Sequence, residues 1–469
     1  MTVEQLYTGC LAEAAYYVES NGEAVIIDPL RETKPYLQRA AKDNAKIKFV
    51  LLTHFHADFV SGHVDLANSS GAKIVLGPTA EAEFDFHRAS DQEVLEVGNI
   101  KIKVLSTPGH TLESVTYLLL DENGKEHCIF TGDTLFIGDV GRPDLAVKDG
   151  KVSQEDLAKM LFHSLRTKIM TLPDATIVYP AHGAGSACGK NMSKETFDTL
   201  RSQKKLNYAL RGVMSEKDFV AEVLNGLSAP PLYFPENVLM NKKINPEIDK
   251  VVRQGTVALK PREFQMLVEE GALMLDVRSG SEFILEHIPG SIFIGLDGNF
   301  APWVGALIPD IRQKIVLIVD ENREEEAVTR LSRIGFDYSL GYLAGGIVAW
   351  KSNGGEVDSI QRISPNDFEK ELTKGKLNVL DVRRTGEYEA EHLSCAENLP
   401  LDEISAALSR MDTKKTYHVH CQSGYRSIIF ESILKSRGFH KLVDVGGGFK
   451  GIKELTKIPL TDFKCASAK

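Results

Sequence analysis

Histidine and aspartate residues follow several apolar segments in the first half of the sequence, at the points where we expect strands to end. They are His54, His56 and Asp58 after IKFVLL, His110 in STPGHT, Asp133 in FTGDT and His182 in YPAHG. Imidazole and carboxylate groups are common protein ligands of divalent transition metals. Four loops at strand ends, each carrying such a group, therefore predict one shared metal site.

A cysteine loop near the C-terminal end is the second feature that could do chemistry. The apolar segment YHVH leads into CQSGYR, residues 421–426, and SIIFESILKSRGF then predicts a helix. A cysteine at a helix N-terminus is surrounded by backbone N–H groups and faces the positive end of the helix dipole, which favours the thiolate. Arg426 adds charge for an oxyanion or a persulfide. We therefore predict that Cys421 is a nucleophile.

Alternating strands and helices must position the metal-binding residues. The predicted buried strands of residues 1 to about 235 are AVIID, IKFVLL, AKIVLG, IKIKVLST, HCIFTGD and ATIVYPAH. The prolines of SAPPLYFPENV cannot continue the helix predicted before them. We therefore predict a first domain over 1–235 and a linker over 236–257, with a proline-rich strap packed on the first domain as the alternative.

The rest of the sequence contains an internal repeat. LMLDVRSGSEFILEHIPGSIFI aligns with NVLDVRRTGEYEAEHLSCAENL, and Asp276 and Asp381 mark equivalent positions 105 residues apart. A period of this length indicates a duplicated domain rather than a solenoid. We place the first copy at 258–357 and the second copy at 361–463, each an α/β domain with a parallel sheet.

Composition narrows the possible partners and compartments. The 469 residues are enough for three domains, and a net charge of -10 matches a phosphate backbone poorly, which argues against nucleic acid. No apolar run is long enough to span a membrane, and six cysteines without close pairing do not form a disulfide framework. We expect a soluble, cytoplasmic protein with no membrane partner, and a homo-oligomer.

The order of the histidine and aspartate motifs resembles the metallo-β-lactamase fold over roughly residues 1–215. That resemblance implies an α/β protein whose N-terminal domain is an αββα sandwich with metal at the sheet edge. In dinuclear members of that family the loop reads HxHxDH, and its last histidine helps to hold a second metal. Phe59 occupies this position here and has no donor atom. We therefore expect one metal per chain.

The segment TGDTLFIGDVGRPDL is similar to the persulfide dioxygenase branch of the same fold. The resemblance implies one Fe(II) bound by His54, His110 and Asp133, with open positions for a substrate sulfur and O2. It also implies three residues that orient these ligands or hold a water without touching the metal, namely His56, Asp58 and His182. A mononuclear zinc hydrolase is the alternative.

Arg142 follows Asp133 in that segment and is a candidate for binding the anionic part of a thiol substrate, because a guanidinium suits carboxylate or phosphate. The alternative is a structural ion pair with Asp144 or Asp139.

Cys188 lies in the small-residue loop GAGSACGK after His182. The ammonium of Lys190 would favour its thiolate, so we consider Cys188 a candidate catalytic relay or substrate-sensing thiol. The alternative is a small packed hydrophobe.

The second copy resembles a rhodanese, a sulfurtransferase domain whose cysteine carries a persulfide sulfur. Four residues separate Cys421 from Arg426, one fewer than in the related phosphatases, and the smaller loop suits sulfur transfer. The first copy has no cysteine and carries the acidic segment DENREEE where the other has its cysteine loop. It is therefore predicted to be an inactive rhodanese-like domain, a spacer or a docking surface.

Together these resemblances imply a bifunctional enzyme. The iron site would oxidise a low-molecular-weight thiol persulfide with O2 to sulfite and thiol, and Cys421 would transfer a sulfane sulfur to sulfite to give thiosulfate. Glutathione, coenzyme A, bacillithiol and cysteine all stay open as the thiol carrier. The main alternative is a metal-dependent thiolester hydrolase of the glyoxalase II type fused to a sulfurtransferase; a redox-sensing or sulfur-relay role for the C-terminal half is another.

Overall fold

Two six-stranded sheets form the first half of the computed structural model, which describes residues 1–147, 152–227 and 229–461. The first sheet has the order β1 (Thr2–Thr8), β2 (Glu13–Ser20), β3 (Glu23–Ile27), β4 (Lys46–Leu51), β5 (Lys73–Leu76), β6 (His87–Arg88). The second sheet consists of β7 (Val94–Val97), β8 (Ile100–Ser106), β9 (Val115–Leu120), β10 (Glu126–Gly132), β11 (Ile177–Pro180) and β12 (Asp198–Thr199), in the spatial order β12 to β7.

The two sheets pack face to face. Because successive side chains of a strand point to opposite sides, each strand contributes to the core between the sheets and to the outer face. Tyr16 and Val18 of β2 lie in the core between the sheets, whereas Tyr17 of the same strand packs on the outer side with Tyr36. A third core covers the outer face of the second sheet, where Leu161 and Phe219 of two helices meet. The predicted αββα sandwich is confirmed.

Helices cover both outer faces of the sandwich and continue beyond it. They are α1 (Lys34–Lys42), α2 (His63–Ser70), α3 (Gln154–Ser164), α4 (Leu200–Leu206), α5 (Glu216–Leu224), α6 (Phe234–Asn241) and α7 (Ile248–Gly255), with a π-helical turn at Leu165–Ile169 and a 3-10 turn at Tyr208–Leu210. The segment predicted to be a linker, 236–257, thus lies largely in α6 and α7. Residues Met1–Lys250, Pro309–Ile311 and Thr329–Phe336 form one compact unit, the first unit.

The second unit contains most of the repeated part of the chain. The first copy has β13 (Ala258–Leu259), β14 (Leu273–Asp276), β15 (Ile292–Phe293), β16 (Ile315–Ile318) and β17 (Ser339–Leu343), with α8 (Pro261–Glu269), α9 (Gly280–Leu285), α10 (Phe300–Leu307), α11 (Glu324–Ser332) and α12 (Gly346–Ser352). The second copy has β18 (Gln361–Ile363), β19 (Asn378–Asp381), β20 (Ala396–Asn398), β21 (Tyr417–His420) and β22 (Leu442–Val445), with α13 (Pro365–Lys374), α14 (Thr385–Ala390), α15 (Ile404–Leu408), α16 (Tyr425–Ser436), α17 (Gly448–Leu455) and a 3-10 turn at Leu401–Glu403.

Both copies have the same sheet order. It is β13-β17-β16-β14-β15 in the first and β18-β22-β21-β19-β20 in the second, and every strand pair in both sheets is parallel. Parallel strands of this kind are covered by helices on both faces, so they appear in the sequence as continuous apolar runs. The predicted α/β domains are confirmed.

No helix in the described ranges combines the length and the apolar composition that crossing a bilayer requires.

Candidate active sites

Three loops of the sandwich bring His54, His110 and Asp133 together. They follow β4, β8 and β10, and all three side chains are buried. Their possible ligand atoms lie within 4.8 Å of one another, with Oδ2 of Asp133 3.4 Å from Nε2 of His110 and 3.8 Å from Nε2 of His54. The geometry therefore offers two imidazole nitrogens and one carboxylate oxygen to a single cation.

Hydrogen bonds to the other ring nitrogen orient both imidazoles. His110 donates from Nδ1 to the backbone carbonyl of Arg142 over 2.8 Å. Nδ1 of His54 lies 2.9 Å from the Thr53 hydroxyl, which itself donates to Asp28 over 2.8 Å, so the hydroxyl oxygen accepts from His54. With the proton held at Nδ1, Nε2 of each ring keeps the lone pair that binds a metal.

The Asp133 carboxylate supplies a test of whether a metal fits. Its Oδ2 is buried and has no hydrogen-bond partner among the described residues. Burial alone would raise the pKa of this carboxyl, but the imidazoles of His182, His54 and His110 hold it far below its usual range, so the group is charged. A buried carboxylate oxygen without a hydrogen-bond partner is costly, and a divalent cation between these three side chains would remove that cost. The residues present fit a resident metal.

His56 takes a different position from the other histidine of its loop. Its Nε2 lies 3.0 Å from Oδ1 of Asp28, and its ring stacks on Phe59 with centroids 4.2 Å apart. Asp28 also accepts from the amide and the hydroxyl of Thr53, and that hydroxyl contacts His54. The Asp28 carboxylate therefore connects His56 to His54 through Thr53. Sequence patterns did not single out Asp28, although its place at the end of the AVIID strand is a signal of the same kind as the others.

A second buried group contains Asp58, His182 and Cys188, whose possible ligand atoms also lie within 4.8 Å of one another. Nε2 of His182 is 2.8 Å from Oδ2 of Asp58, and its Nδ1 donates to Oδ1 of Asp133 over 2.8 Å. Burial alone would lower the pKa of His182, but these two carboxylates raise it well above its usual value. The sequence prediction of one metal rested on Phe59 and did not foresee that Cys188 brings a third donor to this group.

The environment of Cys188 differs from the one we expected. Burial, with the nearby carboxylates of Asp58 and Asp133, raises the pKa of its thiol well above the usual value. The ammonium of Lys190 donates instead to the carbonyls of Glu222 and Asn225. The expectation that Lys190 favours a Cys188 thiolate is therefore wrong, because that cation is used elsewhere.

Arg142 forms a buried bidentate ion pair with Asp144. Nε and Nη2 donate to the two carboxylate oxygens, each over 2.7 Å, and Nη1 donates to the carbonyl of Ala187 over 3.4 Å. The side chain is 3% exposed. Its contact with the metal site is made by its backbone carbonyl, which accepts from His110. Binding of a substrate by the Arg142 guanidinium stays a prediction.

Residues far along the chain hold the metal loop, which we define as residues 53–61. Asn241, at the end of α6, donates to the carbonyls of His56 and Phe59 over 2.8 and 2.7 Å and accepts from the amide of Ser61 over 2.8 Å. The carbonyl of Arg333 accepts from the amide of Val60 over 2.7 Å. Neither residue belongs to a sequence motif, because each holds the loop through hydrogen bonds with backbone groups, which leave no pattern of residue types.

The cysteine loop, residues 421–426, joins β21 to α16 as predicted from its sequence. Cys421 is 1% exposed, and its Sγ accepts a hydrogen bond from the amide of Gly424 over 3.1 Å. Gly424 has a φ of +108°, which strongly favours glycine there. The amide of Phe449 donates to the Cys421 carbonyl over 2.7 Å, and a Cβ on Gly448 would approach that carbonyl to 2.5 Å. The loop is thus a tightly packed cradle around one thiol.

Arg426 closes the cysteine loop and pairs with Glu387. Its Nη1 and Nη2 donate to the two carboxylate oxygens over 2.6 and 2.8 Å. Burial alone would raise the pKa of Glu387, but the hydrogen bonds and charge of Arg426 lower it. Sequence patterns did not identify Glu387 as a partner of this arginine. An anion that binds Arg426 must share it with this carboxylate.

The equivalent loop of the first copy contains a guanidinium with acidic partners. Arg323 pairs with Asp297 and with Glu326, each over 2.9 Å. Burial raises the pKa of Asp320 in this loop, and the Glu282 carboxylate adds to the effect. Both loops therefore contain an arginine paired with carboxylates, and the first copy differs in having no cysteine.

Three segments of this chain match known family models. A family model described as the metallo-beta-lactamase superfamily matches residues 8–182, and one described as the rhodanese-like domain matches 260–353 and 364–455. The chain is 31% identical over 210 residues to the mitochondrial persulfide dioxygenase ETHE1 of Homo sapiens, covering 44% of this chain and 73% of that protein. It is 29% identical over 221 residues to a probable hydroxyacylglutathione hydrolase of Schizosaccharomyces pombe, covering 46% and 79% respectively.

Among solved structures, a metallo-beta-lactamase from Staphylococcus aureus superposes with a TM-score of 0.66 at 33% identity, over 73% of this chain and 99% of that one. The chain therefore belongs to the metallo-beta-lactamase superfamily, as a relative of the ETHE1 persulfide dioxygenases fused to two rhodanese-like domains.

Proposed function

We propose that this chain is a bifunctional enzyme that oxidises a low-molecular-weight thiol persulfide and transfers sulfane sulfur to the sulfite it produces. The observation that carries the proposal is the occurrence of two candidate sites in one chain. One is the buried group of His54, His110 and Asp133 in a domain similar to a persulfide dioxygenase. The other is Cys421 in a rhodanese-like domain.

The metal proposed at the first site is one Fe(II), held by His54, His110 and Asp133. Two imidazoles and one carboxylate are the ligand set of many non-haem iron oxygenases, and iron bound here would supply the electron transfer to O2 that amino-acid side chains cannot supply. The chain's own residues hold the ligands in place through the Arg142 carbonyl and the Thr53 hydroxyl. Burial of all three ligands excludes bulk water from them.

The overall oxidation balances without another oxidant. A persulfide anion, RSS⁻, with O2 and one water yields RSH, sulfite and one proton, so the outer sulfur is oxidised and O2 is reduced. Persulfides and O2 are substrates that the similarity to ETHE1 supports.

The proposed transfer uses Cys421 twice. Its thiolate attacks the outer sulfur of a second persulfide, RSSH, which forms an S–S bond to Cys421, breaks the S–S bond of the substrate and releases RS⁻. Sulfite then attacks that outer sulfur and leaves as thiosulfate, which regenerates the Cys421 thiolate. The Gly424 amide, which contacts Sγ, can donate to the persulfide in the intermediate state.

Two variants separate the two steps. With iron-loaded protein, glutathione persulfide and O2, we expect wild type to consume O2 and form thiosulfate. Cys421→Ser should consume O2 at the wild-type rate and accumulate sulfite, whereas Asp133→Asn should consume no O2 but still transfer sulfur when sulfite is added. An iron-loaded wild type that consumes no O2 with any of the persulfides of glutathione, coenzyme A, bacillithiol and cysteine contradicts the dioxygenase proposal. Unchanged thiosulfate formation in Cys421→Ser contradicts the transferase proposal.

Hydrolysis of a glutathione thiolester is the second candidate for the first unit. It is supported by the similarity to the hydroxyacylglutathione hydrolase and by the second donor group of Asp58, His182 and Cys188, since paired metals are common in hydrolases. Two zinc ions per chain, rapid hydrolysis of S-lactoylglutathione and no O2 uptake would favour this function. No hydrolysis of S-lactoylglutathione by either the iron-loaded or the zinc-loaded protein would exclude it.

A further inference from the structure

One face of α16, the helix that follows the cysteine loop, packs on the first copy rather than on its own sheet. Tyr425, Ile428 and Ser432 lie at positions i, i+3 and i+7, which share one face of a helix. The Ser432 hydroxyl accepts from the amide of Phe293 over 3.0 Å. A Cβ on Gly280 would come within 2.6 Å of the Ile428 side chain, which shows how closely the two copies approach.

Tyr425 makes the contact nearest to the cysteine. Its hydroxyl donates to the carbonyl of Gly295 over 2.8 Å, and its ring meets that of Phe293 edge to face, with centroids 6.0 Å apart. A Cβ on Gly298 would lie 2.2 Å from Cζ of Tyr425, so the ring lies directly on a backbone that has no side chain. The first copy therefore contacts this tyrosine in three ways: with the carbonyl of Gly295, the ring of Phe293 and the backbone of Gly298.

Tyr425 is also the first residue of α16, so its position sets the position of the helix N-terminus. The preceding residue, Gly424, contributes the amide that donates to Sγ of Cys421. The amide of Phe449 anchors the opposite end of the loop within the second copy, at the Cys421 carbonyl. The loop is thus held at one end by its own domain and at the other by the first copy.

We propose that Tyr425 is a positioning residue for Cys421, and that the cysteine-less first copy serves to hold it there. This role gives the inactive domain a function at the cysteine loop, and it rests on the sulfur transfer proposed above. Tyr425 acts through Gly424 and does not need to touch the substrate.

The experiment compares Tyr425→Phe with wild type in the full chain. The variant keeps the ring and removes only the hydroxyl. We expect the rate constant for alkylation of Cys421 by iodoacetamide at pH 7, followed by mass spectrometry of its peptide, to fall by about three- to tenfold, the range for one lost hydrogen bond. The kcat for sulfur transfer should fall by a similar factor, while O2 uptake and the urea unfolding midpoint should change little.

Tyr388→Phe is the matched control, because the Tyr388 hydroxyl donates to the Ala396 carbonyl over 2.7 Å within the second copy. It should leave the alkylation rate constant within twofold of wild type. Gly298→Ala, whose added methyl group would displace the Tyr425 ring, should lower this rate constant as Tyr425→Phe does. Alkylation of Tyr425→Phe within twofold of wild type, or an equal loss in Tyr388→Phe, overturns the proposal. Since alkylation requires no sulfur transfer, it decides the role of Tyr425 even if wild type forms no thiosulfate.

Discussion

His182 donates a hydrogen bond from Nδ1 to Oδ1 of Asp133 over 2.8 Å. The other oxygen of that carboxylate faces Nε2 of His110 and of His54 and has no hydrogen-bond partner among the described residues. One carboxylate thus has one oxygen fixed by a buried imidazole and the other available to a metal. Such a partner orients a ligand and tunes it without binding the metal itself.

Loss of the His182 hydrogen bond should weaken metal binding. We expect His182→Leu to lower the affinity for Fe(II) by about ten- to hundredfold, the usual cost of removing a group that orients a ligand. His182→Asn, whose amide can still donate to Asp133, should lose less. Competition with a chelator measures both affinities. A drop from two metals to one per chain in both variants would instead identify His182 as a ligand.

Asn241 should be required for the shape of the metal loop. Asn241→Leu removes three hydrogen bonds to buried backbone groups of this loop, which should destabilise the protein by about 2–4 kcal/mol and weaken Fe(II) binding. Asn241→Asp can still accept from the Ser61 amide but cannot donate. Urea unfolding and chelator competition measure the two effects. If Asn241→Leu binds Fe(II) as tightly as wild type, α6 does not hold the loop in its binding geometry.

Buried His63 should make stability depend on pH. Burial, with a smaller contribution from His56, lowers the pKa of His63 to about 3. An unfolded histidine has a pKa of about 6.5, so the unfolded state takes up a proton first and stability falls as the pH decreases from 6.5 towards 3. Between pH 7 and pH 5 this group should cost wild type about 2 kcal/mol of unfolding free energy.

The comparison that isolates this effect is His63→Gln, in which the group that titrates is absent. The unfolding free energy of His63→Gln minus that of wild type should rise by about 2 kcal/mol when the pH is lowered from 7 to 5. His163→Gln, at an exposed histidine of the same unit, is the control. Parallel pH dependence of wild type and His63→Gln in urea unfolding would show that His63 does not titrate as expected.

The ion pair between Glu387 and Arg426 should limit anion binding at the cysteine loop. The lowered pKa of Glu387 keeps this carboxylate charged, and its contribution to stability is lost only when the pH falls below about 4.5, the usual glutamate value, towards the lowered one. Glu387→Gln should lower the KM for sulfite by about two- to fivefold, the scale of a partly exposed pair. Arg426→Gln should raise it. A higher KM in Glu387→Gln would mean that the carboxylate orients Arg426 rather than competing for it.

The amino-acid sequence by itself determined the architecture and the chemical residues. Runs such as IKFVLL predicted strands because parallel strands covered on both faces must be apolar along their length. The strands β1, β2 and β9 are not among the predicted strands; in β1, TVEQLYT, polar and charged residues leave no apolar run longer than two residues. The repeat predicted two domains, and both have the same strand order.

Tertiary structure alone decided how these residues are held and which of them meet. Asn241 contacts the metal loop from 180 or more positions away in the chain, and Tyr425 reaches a carbonyl 130 positions away. Packing brings Cys188 to Asp58 and His182. It also brings Glu387 to Arg426, and no pattern in the sequence predicts that contact. The capacity of a histidine or a cysteine for chemistry belongs to the side chain itself, whereas its partners depend on packing between segments that are distant in the chain.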